Sequence, residues 1–453
     1  DLAPLKYPGL SPWEILLSES QERMVLAVAP EHVERFFEIC RGYNVEAVIL
    51  GEFTGDNHFS ATYEGREVMN LDMNFLHDGL PQRIMKACWS RPDFSEPEIE
   101  TPTDWVDLYK KVMGHLNVCS KEPIVRLYDH GVQGTNALPP FAGVKGDGPN
   151  DAVILTPILG KPYGMVISHG LNPVLNQIDP YYGSLWAAAE AVSNAVVSGA
   201  NPREMVLIDN FIWPFPDEEL LGALDMAVDA CVDFVSATGM PFISGKDSLS
   251  STYRGKDGTV IKIPPVLCVS AFGRIPDTAK TVSADFKKKG NQIVLLGTRD
   301  STEMAGSVYC QLKGSMGNNL PRIKPGELIK VLEALYSAIS SGSLLACHDI
   351  SEGGLAAALA EMCFGGGIGA NIQVPDSENA VNFLFSETAG CFLAEISAGL
   401  KPDEIFGDTP HTIIGYTALD FRISVEHSGK ALFNLDLEDL KTAWQQPMRE
   451  VFR

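Results

Sequence analysis

The apolar positions of this 453-residue chain change period several times, and each change marks an element. Met24 to Ala29, Ala47 to Gly51 and His58 to Tyr63 are short runs of strand length. Between the first two, Pro30 to Cys40 sets Val33, Phe36, Phe37 and Cys40 at helical spacing. Residues 90–103 break the pattern: Pro92, Pro97 and Pro102 alternate with Asp93, Glu96, Glu98 and Glu100, the composition of a linker. Asp104 then caps a short helix running towards His115. Strands are expected near 152–157, at 205–208, from Pro265 to Phe272 and from Gln292 to Leu296. Helices are expected at about 184–198, 217–237, Gly326 to Ser340, Gly354 to Phe364 and 437–453. In the helix over 217–237, Leu220, Leu221, Leu224, Ala227, Cys231, Phe234 and Val235 form the core face, Asp225, Asp229 and Asp233 a solvated stripe, and Gly239 the stop. Mixed order with frequent helices predicts an α+β fold of layered sheets and helices, not an all-β sandwich or barrel.

Two stretches repeat across about 365 residues. Leu17-Ser18-Glu19-Ser20-Gln21-Glu22-Arg23-Met24 is echoed by Phe385-Ser386-Glu387-Thr388-Ala389-Gly390-Cys391-Phe392. Glu64-Gly65-Arg66 and Asn70-Leu71-Asp72-Met73 return as Ser428-Gly429-Lys430 and Asn434-Leu435-Asp436-Leu437. A repeat this distant implies a duplicated domain, not a solenoid. The first copy starts part-way through and the chain has no initiator Met, so the sequence reads as the C-terminal part of a longer protein.

Composition narrows the function classes. Hydrophobic residues make up 45% and charged residues 21%, as in globular proteins, and no apolar run is long enough to span a bilayer. The formal charge of -23 argues against non-specific binding of nucleic acid or membrane. It leaves room for a phosphorylated small substrate, held by local dipoles and cations. The nine cysteines contain no CxxC pair, which sets zinc aside and suits buried thiols in a reducing cytoplasm.

Four motifs carry candidate chemistry. His348-Asp349-Ile350-Ser351-Glu352-Gly353-Gly354-Leu355 follows an apolar strand and opens an Ala/Leu-rich helix. Two readings stand: an anion site at a helix N-terminus with Asp349 bridging to phosphate through Mg2+, or a helix start capped by Ser351. Gly365-Gly366-Gly367-Ile368-Gly369 has the look of a phosphate loop but falls where glycine ends a helix. Asp179-Pro180-Tyr181 opens a helix carrying Glu190 and Asn194 at i and i+4; a carboxylate and an amide oxygen one turn apart suit Mg2+, and an ordinary core helix explains them equally. Asp209-Asn210-Phe211 ends a strand. Gly245-Lys246-Asp247-Ser248 suits phosphate contact or a hairpin turn, and is not a Walker A loop.

These motifs, taken in order with Tyr128-Asp129-His130, resemble the synthetase portion of phosphoribosylformylglycinamidine synthases over most of the chain. That family holds two copies of a two-domain PurM-like unit, A1-B1 then A2-B2. The resemblance implies a partial B1 over 1–89, a linker and short helix over 90–120, an A2 sheet backed by helices over 121–280, and a layered α/β B2 with a tail over 281–453. It implies an ATP-dependent ligase of purine biosynthesis. ATP phosphorylates the amide oxygen of formylglycinamide ribonucleotide, and ammonia from a glutaminase domain or subunit displaces phosphate to give the amidine. Glu19, Ser20 and Gln21 would contact the ribonucleotide, with Ser248 near it. Asp209 and Gly245 would contact the nucleotide. Asp151, Glu190, Asn194 and Asp349 match Mg2+ ligands of a second, mainly structural ADP or ATP site, and Ser351 its nucleotide contact. Lys246 stands where the separate-subunit form has Asn, which suits a direct phosphate contact. The family's catalytic histidine belongs to A1, so no catalytic residue is assigned and the chain is not expected to act without an A1-B1 half. A homodimer through the A2 sheet is a further expectation. Two rivals remain: another ATP-dependent member of the superfamily, and a nucleotide-holding scaffold.

Overall fold

The computed structural model describes residues 3–5, 8–19, 23–127 and 130–452. Ser20 and Gln21 of the first repeat, and Tyr128-Asp129, lie outside them. The chain forms two compact units, Asp1–Met85 and Lys86–Arg453.

In the first unit, helix α1 (Val33–Gly42) is followed by an antiparallel hairpin of β1 (His58–Tyr63) and β2 (Arg66–Asp72). The strands expected at 24–29 and 47–51 are not formed. Both stretches lack ladder partners, and Met24, Val25, Ile49 and Leu50 are exposed. A strand's polar backbone needs a neighbouring strand, and an apolar run does not supply one.

The second unit opens with α2 (Trp105–Met113). Asp104 caps it as expected, accepting from the Val106 and Asp107 amides. Its first sheet contains β3 (Asn136–Leu138), β4 (Val153–Leu155), β5 (Gly164–Gly170), then, after helix α3 (Pro180–Val197), β6 (Met205–Ile212) and, after helix α4 (Glu218–Thr238), β7 (Phe242–Ser248) and β8 (Val266–Ile275). The order is β3-β4-β5-β8-β6-β7, antiparallel except for the edge pair β6·β7. Asp179 caps α3, and Gly239, with φ 75°, ends α4. Nearly every residue of α3 is buried, because the helix lies between this sheet and the next layer.

The second sheet is built from β9 (Gln292–Leu296), β10 (Leu344–Asp349), β11 (Gly369–Val374), β12 (Phe392–Ile396), β13 (His411–Ala418), β14 (Arg422–His427) and β15 (Lys430–Asp436). Its order is β10-β12-β9-β13-β11-β14-β15, and only β11·β14 is parallel. Helices α5 (Pro325–Ser340), α6 (Gly354–Gly366) and α7 (Leu437–Val451) complete the layers. Side chains alternate across the strands: Val294, Leu296, Phe392 and Ala394 join a core shared with the first sheet, while Ile293, Leu393 and Ala346 join a second core with α2, α6 and α7. The fold is therefore α+β in layers, as the sequence pattern predicts.

Three details depart from expectation. Residues 90–103 form no helix or strand, yet they are tied down: Phe94 donates its amide to Asn318 Oδ1 at 3.0 Å, and Glu96 accepts from the Asn318 amide at 2.6 Å. Gly245 to Ser248 lie within strand β7, not in a hairpin turn, because the backbone pairs in parallel with β6. Helix α6 has Gly353, with φ 83°, at its N-cap and no side-chain cap, so Ser351 does not cap it.

The duplication is visible in the backbone. The β1–β2 hairpin turns through Glu64 and Gly65 with φ 51° and 71°, and the β14–β15 hairpin through Ser428 and Gly429 with φ 50° and 71°. Positive φ at both turn residues matches the right-handed twist of hairpin strands. Each hairpin has one register shift and ends on an aspartate, Asp72 or Asp436, that caps the following helix.

Candidate functional site

Strand β10, a turn and helix α6 meet the loop before β4 and the core helix α3, and these elements carry the candidates Asp349, Ser351, Asp151, Glu190 and Asn194. Asp151, His348 and Asp349 bring their ligand atoms within 4.8 Å of one another. His348 Nδ1 contacts Asp151 Oδ1 at 2.6 Å and its Nε2 contacts Glu361 Oε2 at 3.0 Å. The Asp349 amide donates to Asp151 Oδ1 at 3.3 Å. On α3, Glu190 and Asn194 share a face, as their spacing predicts. Glu190 Oε2 accepts the Leu171 amide at 3.0 Å, and Asn194 Nδ2 donates to the His169 carbonyl at 3.1 Å. Asn194 Oδ1 is buried without a hydrogen-bond partner.

Burial and like charge set the electrostatics. Burial pushes the Asp349 carboxyl well above the usual carboxylate range, and Asp151 adds to the rise. Burial does the same to Glu190, helped by Glu352 and Asp349, which places its carboxyl within their field. Glu352 is pushed up by burial to about 7. Burial also opposes a charged Asp151 and a charged His348. Their attraction outweighs it, holding Asp151 below its ordinary value and His348 well above its own. A buried cluster with more carboxylates than cations is poised for a further cation.

The residues present fit magnesium. Asp151, Glu190 and Asp349 offer carboxylate oxygens and Asn194 an orphaned amide oxygen, all hard donors of the kind Mg2+ takes. Ser351 sits in the turn between β10 and α6, where its carbonyl accepts the Gly354 amide at 2.9 Å.

A second group lies at the sheet edge. The parallel register places Asp209 opposite Gly245, Asn210 opposite Lys246 and Ile212 opposite Ser248. A Cβ at Gly245 would meet the Asp209 carboxylate, so any larger residue there must push that side chain aside. Lys246 Nζ donates to Ser248 Oγ at 2.7 Å. Asp209 is raised by partial burial and by Asp247. Glu19, in the first unit, is exposed.

Sequence reasoning passed over His348, Glu361, Glu352 and Glu387 as site residues. Glu387 Oε1 accepts the Gly353 and Val308 amides at 2.7 and 2.8 Å, so it holds the turn that opens α6. Burial and Glu352 push it up to about 8. Its signal was available: Glu387 is the repeat partner of Glu19.

This geometry sits in a fold of the AIR synthase-like class. The family described as "AIR synthase related protein, C-terminal domain" matches residues 1–64 and 288–408, one segment in each copy of the repeat. By sequence, the chain is similar to the phosphoribosylformylglycinamidine synthase subunit PurL. It is 32% identical to that subunit from Thermoplasma acidophilum over 97% of this chain and 57% of the relative. It thus spans less than two thirds of the length of that protein. Among solved structures, Thermotoga maritima PurL complexed with FGAR superposes with a TM-score of 0.57 at 16% identity, over 75% of this chain and 53% of that one. The same protein complexed with ADP gives 0.57 at 16% identity, over 76% and 52%.

Proposed function

We propose that this chain forms part of an ATP-dependent ligase that converts formylglycinamide ribonucleotide to its amidine in purine biosynthesis. The buried grouping of Asp151, His348 and Asp349, with Glu190 and the orphaned Asn194 amide oxygen on the adjoining helix α3, is the observation that carries this reading, alongside the likeness to PurL along almost all of the chain. In that role Asp151, Glu190, Asn194 and Asp349 hold Mg2+, which neutralises phosphate charge when bound. Ser351, in the turn that opens α6, contacts the ADP or ATP, while Glu387 holds that turn through the Gly353 amide. At the sheet edge, Asp209 and Gly245 line the catalytic nucleotide, Lys246 contacts phosphate and Ser248 lies towards the ribonucleotide. Glu19, Ser20 and Gln21 would contact the ribonucleotide. Phosphoryl transfer depends on position and charge neutralisation, and these groups supply both.

In the reaction, the amide oxygen attacks the γ-phosphorus and ADP leaves. Ammonia from a glutaminase partner then adds to the activated carbon, and phosphate departs with the oxygen. The catalytic base is assigned to no residue of this chain. The nine cysteines are all free, in keeping with a reducing cytoplasm, and among the described residues no helix is long and apolar enough to cross a membrane. A homodimer through the first sheet is part of the same reading; a monomer by light scattering at high concentration would remove it.

The test is calorimetric titration of ADP, with and without Mg2+, into the chain and into Asp349→Asn. Mg2+-dependent binding that the substitution abolishes supports the reading. Binding that is absent, or indifferent to both Mg2+ and the substitution, rejects the nucleotide assignment at this cluster.

A further inference from the structure

We propose that Lys441, on the C-terminal helix α7, is a positioning residue for the carboxylate cluster, because its buried ammonium fixes the loop that delivers Asp151. The inference rests on the nucleotide and magnesium reading above for its consequence, and on geometry alone for its existence.

Lys441 is one of the few buried charged residues outside the cluster, with 6% of its side chain exposed. Nζ donates to Asp147 Oδ1 at 2.8 Å and to the Phe364 carbonyl at 3.3 Å, and it lies 5.8 Å from the centre of the Phe364 ring. Lysine is rarely buried unless it is paired, and here one ammonium joins three elements: α7, the C-terminal turn of α6 and the loop over 139–151. A cation at a helix C-terminus is also favoured by the helix dipole. The neighbouring pairs Lys110–Asp439 and Lys145–Glu438 are more exposed and longer, at 3.5 and 3.6 Å, so they do not compete for this role.

The loop is seated as well as tied. Gly365, in the glycine run that resembles a phosphate loop, receives it: Val144 donates its amide to the Gly365 carbonyl at 2.8 Å, and a Cβ at Gly143 or Gly148 would collide with Gly365 backbone. The glycines serve close backbone approach, not phosphate. Phe141–Ala142 pairs with Gly148–Pro149 to close the loop, and Asn150 Oδ1 accepts the Ala284 amide at 3.2 Å. Asp151 follows at once, four residues beyond the Lys441 anchor, and reaches His348 and the Asp349 amide. Helix α7 is thereby coupled to the metal-binding cluster without touching it.

Lys441→Met keeps most of the aliphatic stem and removes the ammonium; Asp147→Asn removes the other charge and serves if the first variant does not fold. Two readouts separate positioning from bulk stability. Hydrogen exchange at the Asp349 amide reports where Asp151 sits, with no metal or nucleotide present. It should quicken about tenfold or more in the variants, together with the Val144 amide, while amides of β8 stay protected. The Mg2+ concentration for half-maximal ADP binding should rise about tenfold, as for other groups that orient metal ligands. Unchanged exchange at Asp349, with only a lower melting temperature, would overturn the proposal. Loss of Mg2+ dependence in the unmodified protein would overturn the function reading, while the exchange data would still decide the clamp.

Discussion

The buried cluster around Asp349 and the edge group around Gly245 are built from similar residues, and burial makes them different devices. In the first, the carboxyls of Glu190 on α3 and Asp349 on β10 are raised by burial, while Asp151, in the loop before β4, is held down by its contact with His348. In the second, Gly245 to Asp247 are exposed on an edge strand, and water screens Lys246 and Asp247. The buried set has a demand for charge that exists before any ligand arrives. The edge set acquires its purpose only from what is laid against it. Motif prominence in the sequence does not distinguish the two; depth in the fold does.

The sharpest way to break the comparison is to remove one buried partner. Asp151→Ala leaves His348 with an unpaired side in the interior, and should cost about 3–5 kcal/mol in urea unfolding at neutral pH. A loss below about 1 kcal/mol would place the pair with exposed ion pairs. Next comes pH. Glu387 has a folded pKa of about 8 against an ordinary 4.5, so the native state keeps a proton that the unfolded chain gives up. Its contribution is full below the unfolded value and is lost as pH rises through about 8. Glu387→Gln preserves an oxygen for the Gly353 and Val308 amides and should flatten the stability profile between roughly pH 5 and 8; an unaltered slope would show that the carboxyl is charged when folded. At the edge, Gly245→Ala forces the Asp209 carboxylate aside. If the edge group binds nucleotide as proposed, that binding should weaken about tenfold, or ~1.4 kcal/mol, in a calorimetric titration. Equal binding would detach Asp209 from the nucleotide. The smallest effect is Lys246→Ala on folding, within about 0.5 kcal/mol by denaturant midpoint; a larger loss would mean the edge is not the solvated surface described.

Legibility followed the same division. Helices and strands with a clear face were readable: Gln292–Leu296 and the stop at Gly239 were set by local pattern and glycine geometry. The strands at 24–29 and 47–51 were not, since pairing is a property of neighbours and not of the run itself. Glu190 and Asn194 could be placed on one face from their spacing. That Asn194 Oδ1 is orphaned could not, because orphaning depends on what the second sheet leaves unpaired. Glu387 was passed over for another reason. Its repeat partner Glu19 suggested a ligand contact, but in this copy the carboxyl has turned inward to hold backbone amides. The Gly365 run was rightly read as structural, although its reason, the loop seated on it through Gly143 and Gly148, lies far upstream in the chain.

The continuous core that joins the two sheets of the second unit bears on how this part of the chain can be cut or evolve. Val294, Leu296, Phe392 and Phe406 from one layer pack in the same cluster as Trp186, Leu207 and Phe234 from the other. A break near residue 281 would therefore strip apolar surface from both pieces at once. Neither piece would be an autonomous module, and Lys86–Arg453 should melt in a single transition. Recombination that shuffled one sheet without the other would be selected against. The inheritable block is the pair.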